Sequence, residues 1–206
     1  MSKKSKRNFF YILSEFYKRL NISFKLMNFG LKYSRTQHLR RGEKMKRIDK
    51  HNYYLDICET ILERGTCIRR NFAAIIVKND EIMSTGYSGA PRGRANCSEL
   101  GFCRREELKV PRGTRYELCR SVHAEQNAII SARRQDMIGA TLYLVGKEIG
   151  TNKLVENASP CSLCKRFIIN SGIEKVIVRD TNIDFRIVDV QYWIDNDDSL
   201  VGDGSY

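Results

Sequence analysis

Two short motifs hold the residues of this sequence that are best suited to chemistry. His123 and Glu125 stand two positions apart in the first motif, and Cys161 and Cys164 follow Pro160 in the second, a P-C-x-x-C run. An imidazole and two thiolates are typical zinc ligands, and three protein ligands with one open position are typical of a zinc ion that activates water. Such an ion lowers the pKa of its bound water from about 16 to about 7. The sequence therefore predicts a catalytic zinc site at His123, Cys161 and Cys164.

Glu125 supplies a carboxylate close to this predicted site without being one of its ligands. Attack of hydroxide on an amidine-like ring carbon requires one proton on the ring nitrogen and another on the departing ammonia, and one carboxylate can deliver both. The order H-x-E and then P-C-x-x-C resembles the signature of zinc-dependent nucleobase deaminases, in which the glutamate is the general acid and base. Alone, C-x-x-C could be a redox pair and H-x-E an exposed polar segment; together they predict Glu125 as the proton-transfer group.

The residues around both motifs favour helices. Residues 122–134 have small apolar side chains at helical spacing, and the second helix is predicted to begin with Ser159 as its N-cap and Pro160 as its first residue. Both motifs then lie at helix N-termini, where the partial positive charge favours the thiolate that binds metal. Each helix begins after a loop or a strand end at the same edge of the predicted sheet. The ligands are therefore expected to lie close together.

The remaining apolar patterns alternate between strands and helices. A helix is predicted at residues 48–64, a short helix at 192–194, and strands at 73–78, 81–87, 141–145, 175–178 and 185–190. Residues 88–121 form a long loop, and residues 146–157 form a hairpin or excursion before the P-C-x-x-C motif. This order predicts an α/β fold with a layered sheet and crossover helices.

The net charge of +12 is concentrated near the N-terminus. Residues 1–44 contain 12 Lys or Arg and two acidic residues, whereas residues 45–206 contain 24 Lys or Arg and 22 acidic residues. The second part, at +2, does not indicate nucleic-acid binding. No apolar run reaches the length of a membrane span, and no signal peptide is visible. The seven cysteines are therefore expected to be reduced or metal-bound in a cytoplasmic protein.

The basic extension at residues 1–44 has three interpretations. It is a tail that binds nucleic acid or acidic lipid, an organelle transit peptide, or a segment that the functional protein lacks. We favour the third, with translation starting at Met45, because Gly42 and Glu43 can be encoded by a purine-rich run that resembles a bacterial ribosome-binding site. Residues 45–206 are then the functional domain.

A second set of cysteines lies outside the two motifs and consists of Cys67, Cys97, Cys103 and Cys119. Four thiolates make a closed tetrahedral zinc site, and a zinc ion there would stabilise the long loop. Their spacing is irregular, and the alternative is that Cys67 and Cys119 are small core residues. Cys58 lies on the apolar face of the first predicted helix and is expected in the core.

Three blocks of the sequence resemble the deoxycytidylate (dCMP) deaminase family. They are Gly86-Tyr-Ser-Gly-Ala-Pro-Arg-Gly93 with Asn96-Cys97, His123-Ala-Glu-Gln-Asn-Ala-Ile129, and Pro160-Cys-Ser-Leu-Cys164. The last two are shared by the wider cytidine deaminase-like fold, and the first is more specific to the family. The resemblance implies a three-layer α/β/α fold with a mixed sheet of about five strands. It also implies zinc-dependent hydrolysis of dCMP to dUMP and ammonia.

The resemblance further implies partners and site residues. Many family members are homo-hexamers regulated by dCTP and dTTP, and some carry a second zinc ion at positions corresponding to Cys67, Cys97 and the cysteines before the H-x-E helix. The backbone of Ala124 is expected near the pyrimidine edge. Ser88 stands where the family usually has an asparagine that can hydrogen-bond the sugar, and residues 146–157 are inserted near the site. Both departures bear on the substrate.

The sequence does not decide which residue, if any, binds a phosphate group. Arginine is well suited to phosphate, but solvated loop arginines are the alternative for each of the four candidates, Arg92, Arg94, Arg112 and Arg115.

Two other functions are open as well. One is deamination of another nucleotide, a free base or RNA; an RNA editor would favour a basic surface with stacking aromatic residues, which residues 45–206 do not indicate. The other is a zinc-stabilised regulatory module without turnover. Such a module would be expected to lack the residue at the position of Glu125, but Glu125 is present in this sequence.

Overall fold

A computed structural model describes residues 47–111 and 113–196 of the chain. The basic extension at residues 1–44 and the proposed start at Met45 lie outside these residues, so both stay predictions. Within the described part of the chain, no helix is long and apolar enough to cross a membrane.

Five strands form one mixed sheet in the order β2-β1-β3-β4-β5. The strands are β1 (Arg70–Lys78), β2 (Glu81–Tyr87), β3 (Thr141–Glu148), β4 (Lys175–Arg179) and β5 (Phe185–Asp189). Strand β1 is antiparallel to β2 and to β3, β3 is parallel to β4, and β4 is antiparallel to β5. A parallel pair needs a crossover connection, and a helix supplies it between β3 and β4.

Helices occupy both faces of this sheet. They are α1 (Lys50–Leu62), α2 (Cys97–Leu100), α3 (Arg104–Glu107), α4 (Ala124–Ile130), α5 (Arg134–Met137), α6 (Ser162–Ser171) and α7 (Val190–Asp195). The short helices α2 and α3 and a 3₁₀ turn, Tyr116–Leu118, lie inside the long segment predicted as a loop.

Alternate residues of β1 face two different helical layers. Ile75 packs in one apolar cluster with Leu55 of α1, whereas Ile76 packs in a second cluster with Ala128 of α4 and Ile168 of α6. All five side chains are fully buried. Because β1 is covered on both faces, its sequence is a continuous apolar run rather than an alternating one. The predicted three-layer α/β/α fold with about five strands is confirmed.

Three of the four predicted helices are confirmed with different boundaries. The side chain of Asp49 accepts a hydrogen bond from the backbone N–H of Asn52 at 3.0 Å, so α1 begins at Lys50 rather than at residue 48. A single helix over residues 122–134 is wrong, because α4 ends at a C-cap, Ser131, and α5 begins afterwards.

The insertion at residues 146–157 is a hairpin that extends β3. The backbone N–H of Glu148 donates to the carbonyl of Lys153, and the N–H of Val155 donates to the carbonyl of Gly146, both at 2.9 Å. These bonds return the chain toward the P-C-x-x-C motif.

Strand β2 and helix α4 approach each other unusually closely at Gly86. A Cβ atom at this position would overlap the backbone carbonyl of Ala124 and the backbone nitrogen of Ala128. The side-chain amide of Asn127 donates to the carbonyl of Tyr87 at 2.8 Å and holds the helix against the end of the strand. A glycine within a strand commonly marks such a close approach of backbones.

We expect Gly86→Ala to destabilise the protein by about 3 kcal/mol, which lowers the melting temperature by roughly 10 °C, because backbone atoms must move to admit the methyl group. Thermal unfolding followed by circular dichroism measures this effect.

Gly150→Ala is the matched control, because a Cβ atom at Gly150 meets no atom within 4 Å. Its melting temperature should stay within about 2 °C of the wild type. Equal melting temperatures for the two variants would show that the contact at Gly86 is not tight.

Candidate active site and metal centre

The predicted ligands lie at the N-termini of two helices. His123 is the N-cap residue of α4, and its backbone N–H donates to Oε1 of Gln126 at 3.0 Å. Cys161 is the N-cap residue of α6, and its Sγ accepts from the backbone N–H of Cys164 at 3.5 Å. The prediction that Ser159 caps this helix is wrong. The sulfur atom of Cys161 instead accepts a hydrogen bond from one of the N–H groups that have no partner within the first turn.

The distances between the ligand atoms fit a zinc ion. Nδ1 of His123 lies 3.5 Å from Sγ of Cys161 and 3.4 Å from Sγ of Cys164. Tetrahedral coordination with bonds of about 2.0 Å to nitrogen and 2.3 Å to sulfur separates such atoms by about 3.5 Å. Among the described residues, this is the only group of three or more His, Cys, Asp or Glu whose ligand atoms all lie within 4.8 Å of one another.

The electrostatic interactions among the same three side chains favour a bound cation. A hydrogen bond from Cys164 and the nearby His123 lower the pKa of Cys161 to about 4, and that bond raises the pKa of Cys164. Burial alone would lower the pKa of His123, but hydrogen bonds to Cys119 and Cys161 raise it to about 10. A cation between the thiols and the imidazole satisfies the same attraction, and its binding would release protons.

Glu125 lies in the first turn of α4, directly beside the ligands. Its side chain is only 4% exposed. Burial raises the pKa of Glu125, while the positive charge of His123 opposes this effect. A carboxyl group in such surroundings can hold a proton and give it up again, as a general acid and base must.

A cavity of about 270 Å³ lies against this cluster. His123, Glu125 and Cys161 line it together with Tyr116 from the long loop and Asn157 from the hairpin. The ring of Tyr116 packs perpendicular to the imidazole of His123, with ring centroids 4.9 Å apart. The long loop and the inserted hairpin therefore both contribute walls to the candidate active site.

The block that contains Ser88 is held beside the H-x-E motif. Gly89 and Val122 exchange two backbone hydrogen bonds of 3.2 and 2.8 Å. Ser88 is buried and lines the cavity, and its Oγ accepts a hydrogen bond from the backbone N–H of Phe72 at 3.0 Å. Ala124 lines the same cavity. Both residues lie beside the cluster, and their contacts with a substrate stay a prediction.

Three of the four arginines considered for a phosphate group are not brought to the cavity. Arg92, Arg94 and Arg115 are exposed, and none of the three lines it. Arg115 pairs instead with Glu117 at 3.1 Å. Arg112 lies outside the described residues.

The second set of cysteines lies nearby without forming a compact ligand group. Cys67, Cys103 and Cys119 line the cavity, and Cys97 is buried. Within the described residues, no three of these four sulfur atoms lie within 4.8 Å of one another. Hydrogen bonds from His123 and the Ser121 backbone outweigh burial and lower the pKa of Cys119. A second zinc site stays a prediction.

Sequence reasoning quoted Gly86 only as part of a family block and gave it no packing role, and it overlooked Arg105 and Tyr116. A glycine inside an apolar strand is a readable signal of close packing, so Gly86 could have been found. Arg105 and Tyr116 carry no comparable signal, because their positions depend on the path of the long loop.

The family model for the cytidine and deoxycytidylate deaminase zinc-binding region matches residues 48–180. This range includes the whole ligand cluster, Glu125 and four of the five strands. The chain belongs to this family. It is a zinc-binding deaminase, an enzyme of the hydrolase class, as the sequence motifs predicted.

Two curated relatives agree with this assignment, and one solved structure is similar in sequence. The deoxycytidylate deaminase of Mycobacterium phage D29 is 37% identical over 137 residues, which are 65% of this chain and 96% of that protein. The deoxycytidylate deaminase of Schizosaccharomyces pombe is 28% identical, over 61% of this chain and 35% of that longer protein. The crystal structure of the dCMP deaminase of cyanophage S-TIM5 with dCMP and dUMP is 25% identical, covers 67% of this chain and 85% of that chain, and has a TM-score of 0.45.

We expect Cys161→Ser to lose most of the zinc held at the cluster, because a hydroxyl is a much poorer zinc ligand than a thiolate. Metal analysis of dialysed protein by mass spectrometry measures the loss. Cys58→Ala is the control: the thiol of Cys58 is fully buried in the core, as predicted, and donates to the carbonyl of Ala73 at 3.1 Å. Wild-type zinc content in Cys161→Ser would contradict the proposed ligand set.

Proposed function

We propose that this chain catalyses the hydrolytic deamination of dCMP to dUMP with release of ammonia. The supporting observation is a buried carboxylate, Glu125, beside a His/Cys/Cys group with zinc-ligand distances, in a chain of the deaminase family. The choice of dCMP follows from the relative in phage D29, which this chain covers over 96% of its length.

His123, Cys161 and Cys164 would hold the zinc ion, which when bound lowers the pKa of a water molecule at the site. Glu125 carries the protons. It takes one from the attacking water and gives it to N3 of the cytosine ring, and it passes another to the amino group. The C4–O bond forms first. The second proton then comes from the new hydroxyl group on C4, the C4–N bond breaks, and ammonia leaves dUMP behind.

Neighbouring side chains hold the imidazole in place. Tyr116 packs perpendicular to the imidazole ring of His123, and Cys119 forms a hydrogen bond with His123. Partners that fix the orientation of a ligating histidine commonly strengthen metal binding and activity. The burial of Glu125 keeps its carboxyl group away from bulk water, so that its protons pass to the substrate.

We expect zinc-loaded wild-type protein to release ammonia from dCMP faster than from dCTP, cytidine or RNA. Glu125→Gln should lower kcat with dCMP by about 1,000-fold or more while it retains zinc, because the amide cannot carry the protons. Ammonia release with the four substrates and metal analysis of the variant test both statements.

Glu117→Gln is the control, since Glu117 is exposed and paired with Arg115. It should keep wild-type turnover. Wild-type kcat in Glu125→Gln would overturn the mechanism. A preference for another cytosine compound would reassign the substrate, and no turnover of any of them would favour a regulatory module.

A second zinc ion at Cys67, Cys97, Cys103 and Cys119 is a further part of the proposal. Three of these cysteines, Cys67, Cys103 and Cys119, line the cavity, although no three of the four sulfur atoms lie within 4.8 Å of one another among the described residues. Burial raises the pKa of Cys97, and the charges of the other three cysteines raise it further, which indicates that the four are neighbours.

If this second ion exists, the wild type should contain two zinc ions per chain and Cys97→Ser one, because a serine breaks the closed site. Metal analysis calibrated by amino-acid analysis gives the two ratios. Cys161→Ser serves as the reciprocal variant, which should also retain one. A single zinc ion per wild-type chain would rule out the second site.

Assembly as a homo-hexamer, regulation by dCTP and dTTP, and cytoplasmic localisation stay predictions from the family resemblance and the composition.

A further inference from the structure

Arg105 carries a buried guanidinium close to the metal-ligating cluster. It belongs to the short helix α3 and is only 7% exposed. Burying a positive charge is costly unless the charge is compensated. Arg69, another arginine beside the same cavity, pairs with Glu106 at 2.9 Å. Arg105 has no ion pair within the part of the chain that the structure describes, so other groups must compensate its charge.

The groups that compensate Arg105 belong to the long loop itself. Its Nη2 donates to the carbonyls of Pro111 and Thr114, at 2.9 and 2.5 Å. Its guanidinium carbon lies over the ring of Tyr116, 4.6 Å from the ring centroid. The face of an aromatic ring attracts a cation, and the attraction is stronger when both groups are out of water. Arg105 therefore contacts both the backbone of this segment and its tyrosine ring.

The segment that Arg105 contacts has a backbone conformation that needs support from its surroundings. Gly113 and Arg115 have left-handed φ values of +89° and +47°. A residue with a side chain rarely adopts this region, and it does so where surrounding contacts hold it. Thr114 directly precedes Arg115, and Tyr116 directly follows it. The contacts of Arg105 therefore lie on both sides of the strained residue.

Tyr116 connects this segment to the metal-ligating cluster. Its ring packs perpendicular to the imidazole of His123, with ring centroids 4.9 Å apart. Nδ1 of the same imidazole lies 3.5 and 3.4 Å from the sulfur atoms of Cys161 and Cys164. Since an imidazole binds a metal ion only when its ring is correctly oriented, the contact with Tyr116 bears directly on metal binding.

We propose that Arg105 is a positioning residue of the zinc centre: by fixing the ring of Tyr116, it holds the imidazole of His123 in the orientation that binds the metal. The inference rests on the proposed ligand set, because it takes His123 to be a ligand. Replacing a residue that orients a ligating histidine commonly lowers metal affinity about 10- to 100-fold. The long loop then contributes to metal binding without supplying any of the three ligands.

Zinc release to an excess of chelator tests the proposal independently of turnover. Arg105→Gln should release zinc from the cluster about 10- to 100-fold faster than the wild type, because Tyr116 loses the cation that fixes its ring. Arg105→Lys should recover part of this loss, since it keeps the charge but not the planar donors that bind the two carbonyls. A second zinc ion would give a separate phase of release, which Cys161→Ser would retain.

Arg104→Gln is the matched control. Arg104 is the neighbouring residue of α3, is exposed, and pairs with Glu107 at 3.2 Å. Its rate of zinc release should stay within about 2-fold of the wild type. Equal acceleration in Arg104→Gln and Arg105→Gln would point to a general effect of charge in α3 and would overturn the proposal, as would a wild-type rate in Arg105→Gln.

Replacement of Tyr116 separates positioning from general stabilisation of the loop. Tyr116→Leu should release zinc about as fast as Arg105→Gln, whereas Tyr116→Phe keeps the ring and should stay close to the wild type. If Arg105 acts through Tyr116, the double variant Arg105→Gln/Tyr116→Leu should be no faster than Tyr116→Leu. Effects that multiply in the double variant would show that Arg105 acts independently of Tyr116, and the proposal would be wrong.

The absorption spectrum of the cobalt-substituted protein reports the geometry of the cluster, because the bands of Co²⁺ depend on the type and arrangement of its ligands. Arg105→Gln and Tyr116→Leu should change these bands in the same way, and Arg104→Gln should leave them unchanged. If Arg105 only keeps the loop folded, its replacement should lower the melting temperature and leave the spectrum as in the wild type. That result would overturn the proposal.

Arg105→Lys with and without Tyr116→Leu carries the same test if Arg105→Gln is recovered unfolded. The lysine variant should release zinc faster than the wild type, but it should add nothing to the effect of Tyr116→Leu. An additional effect in the leucine background would contradict the proposal.

The metal measurements also separate this inference from the proposed function. A zinc-binding wild type that does not deaminate dCMP would refute the proposed reaction, and the release rates would still decide the role of Arg105. Turnover of dCMP together with equal release rates in the wild type and the Arg105 variants would refute this inference alone. A wild type that binds no zinc at the cluster would overturn both.

Discussion

The close approach of helix α4 to strand β2 is the constraint on which the site depends. Gly86 has no side chain, so the first turn of α4 rests directly on the strand, and Ala124 and Ala128 are fully buried in the contact. That turn carries His123 and Glu125. Close packing leaves the helix few alternative positions, and an active site tolerates displacements of only a fraction of an ångström. The small residues at this contact therefore matter as much for the chemistry as the reactive ones.

The topology of the sheet brings the second motif to the same place. Because β1 is antiparallel to both β2 and β3, the strands β2 and β3 run in the same direction and end at the same edge. Helix α4 follows the segment after β2, and α6 follows the hairpin after β3, so both helices begin at that edge. Each N-terminus contributes partial positive charge and free N–H groups, which favour the thiolates of Cys161 and Cys164.

Chemistry and specificity are carried by different parts of the molecule. The ligands and Glu125 lie on helices that the core holds in place, whereas the long loop and the inserted hairpin supply the walls of the cavity. Loops presented by a rigid scaffold commonly determine what a site accepts. Arg105 donates to two carbonyls of its own loop and contributes a buried side chain to this wall.

The sequence alone determined the reacting groups and the fold class. The types and spacing of His123, Glu125, Cys161 and Cys164 depend on the chemistry of zinc and of proton transfer, which is local, and hydrophobic periodicity is local as well. Only the tertiary structure decided which residues surround these groups. The docking of Tyr116 on His123 and the burial of Arg105 both depend on the path of a long loop. That path is fixed by contacts between residues far apart in the chain, and no local pattern encodes it.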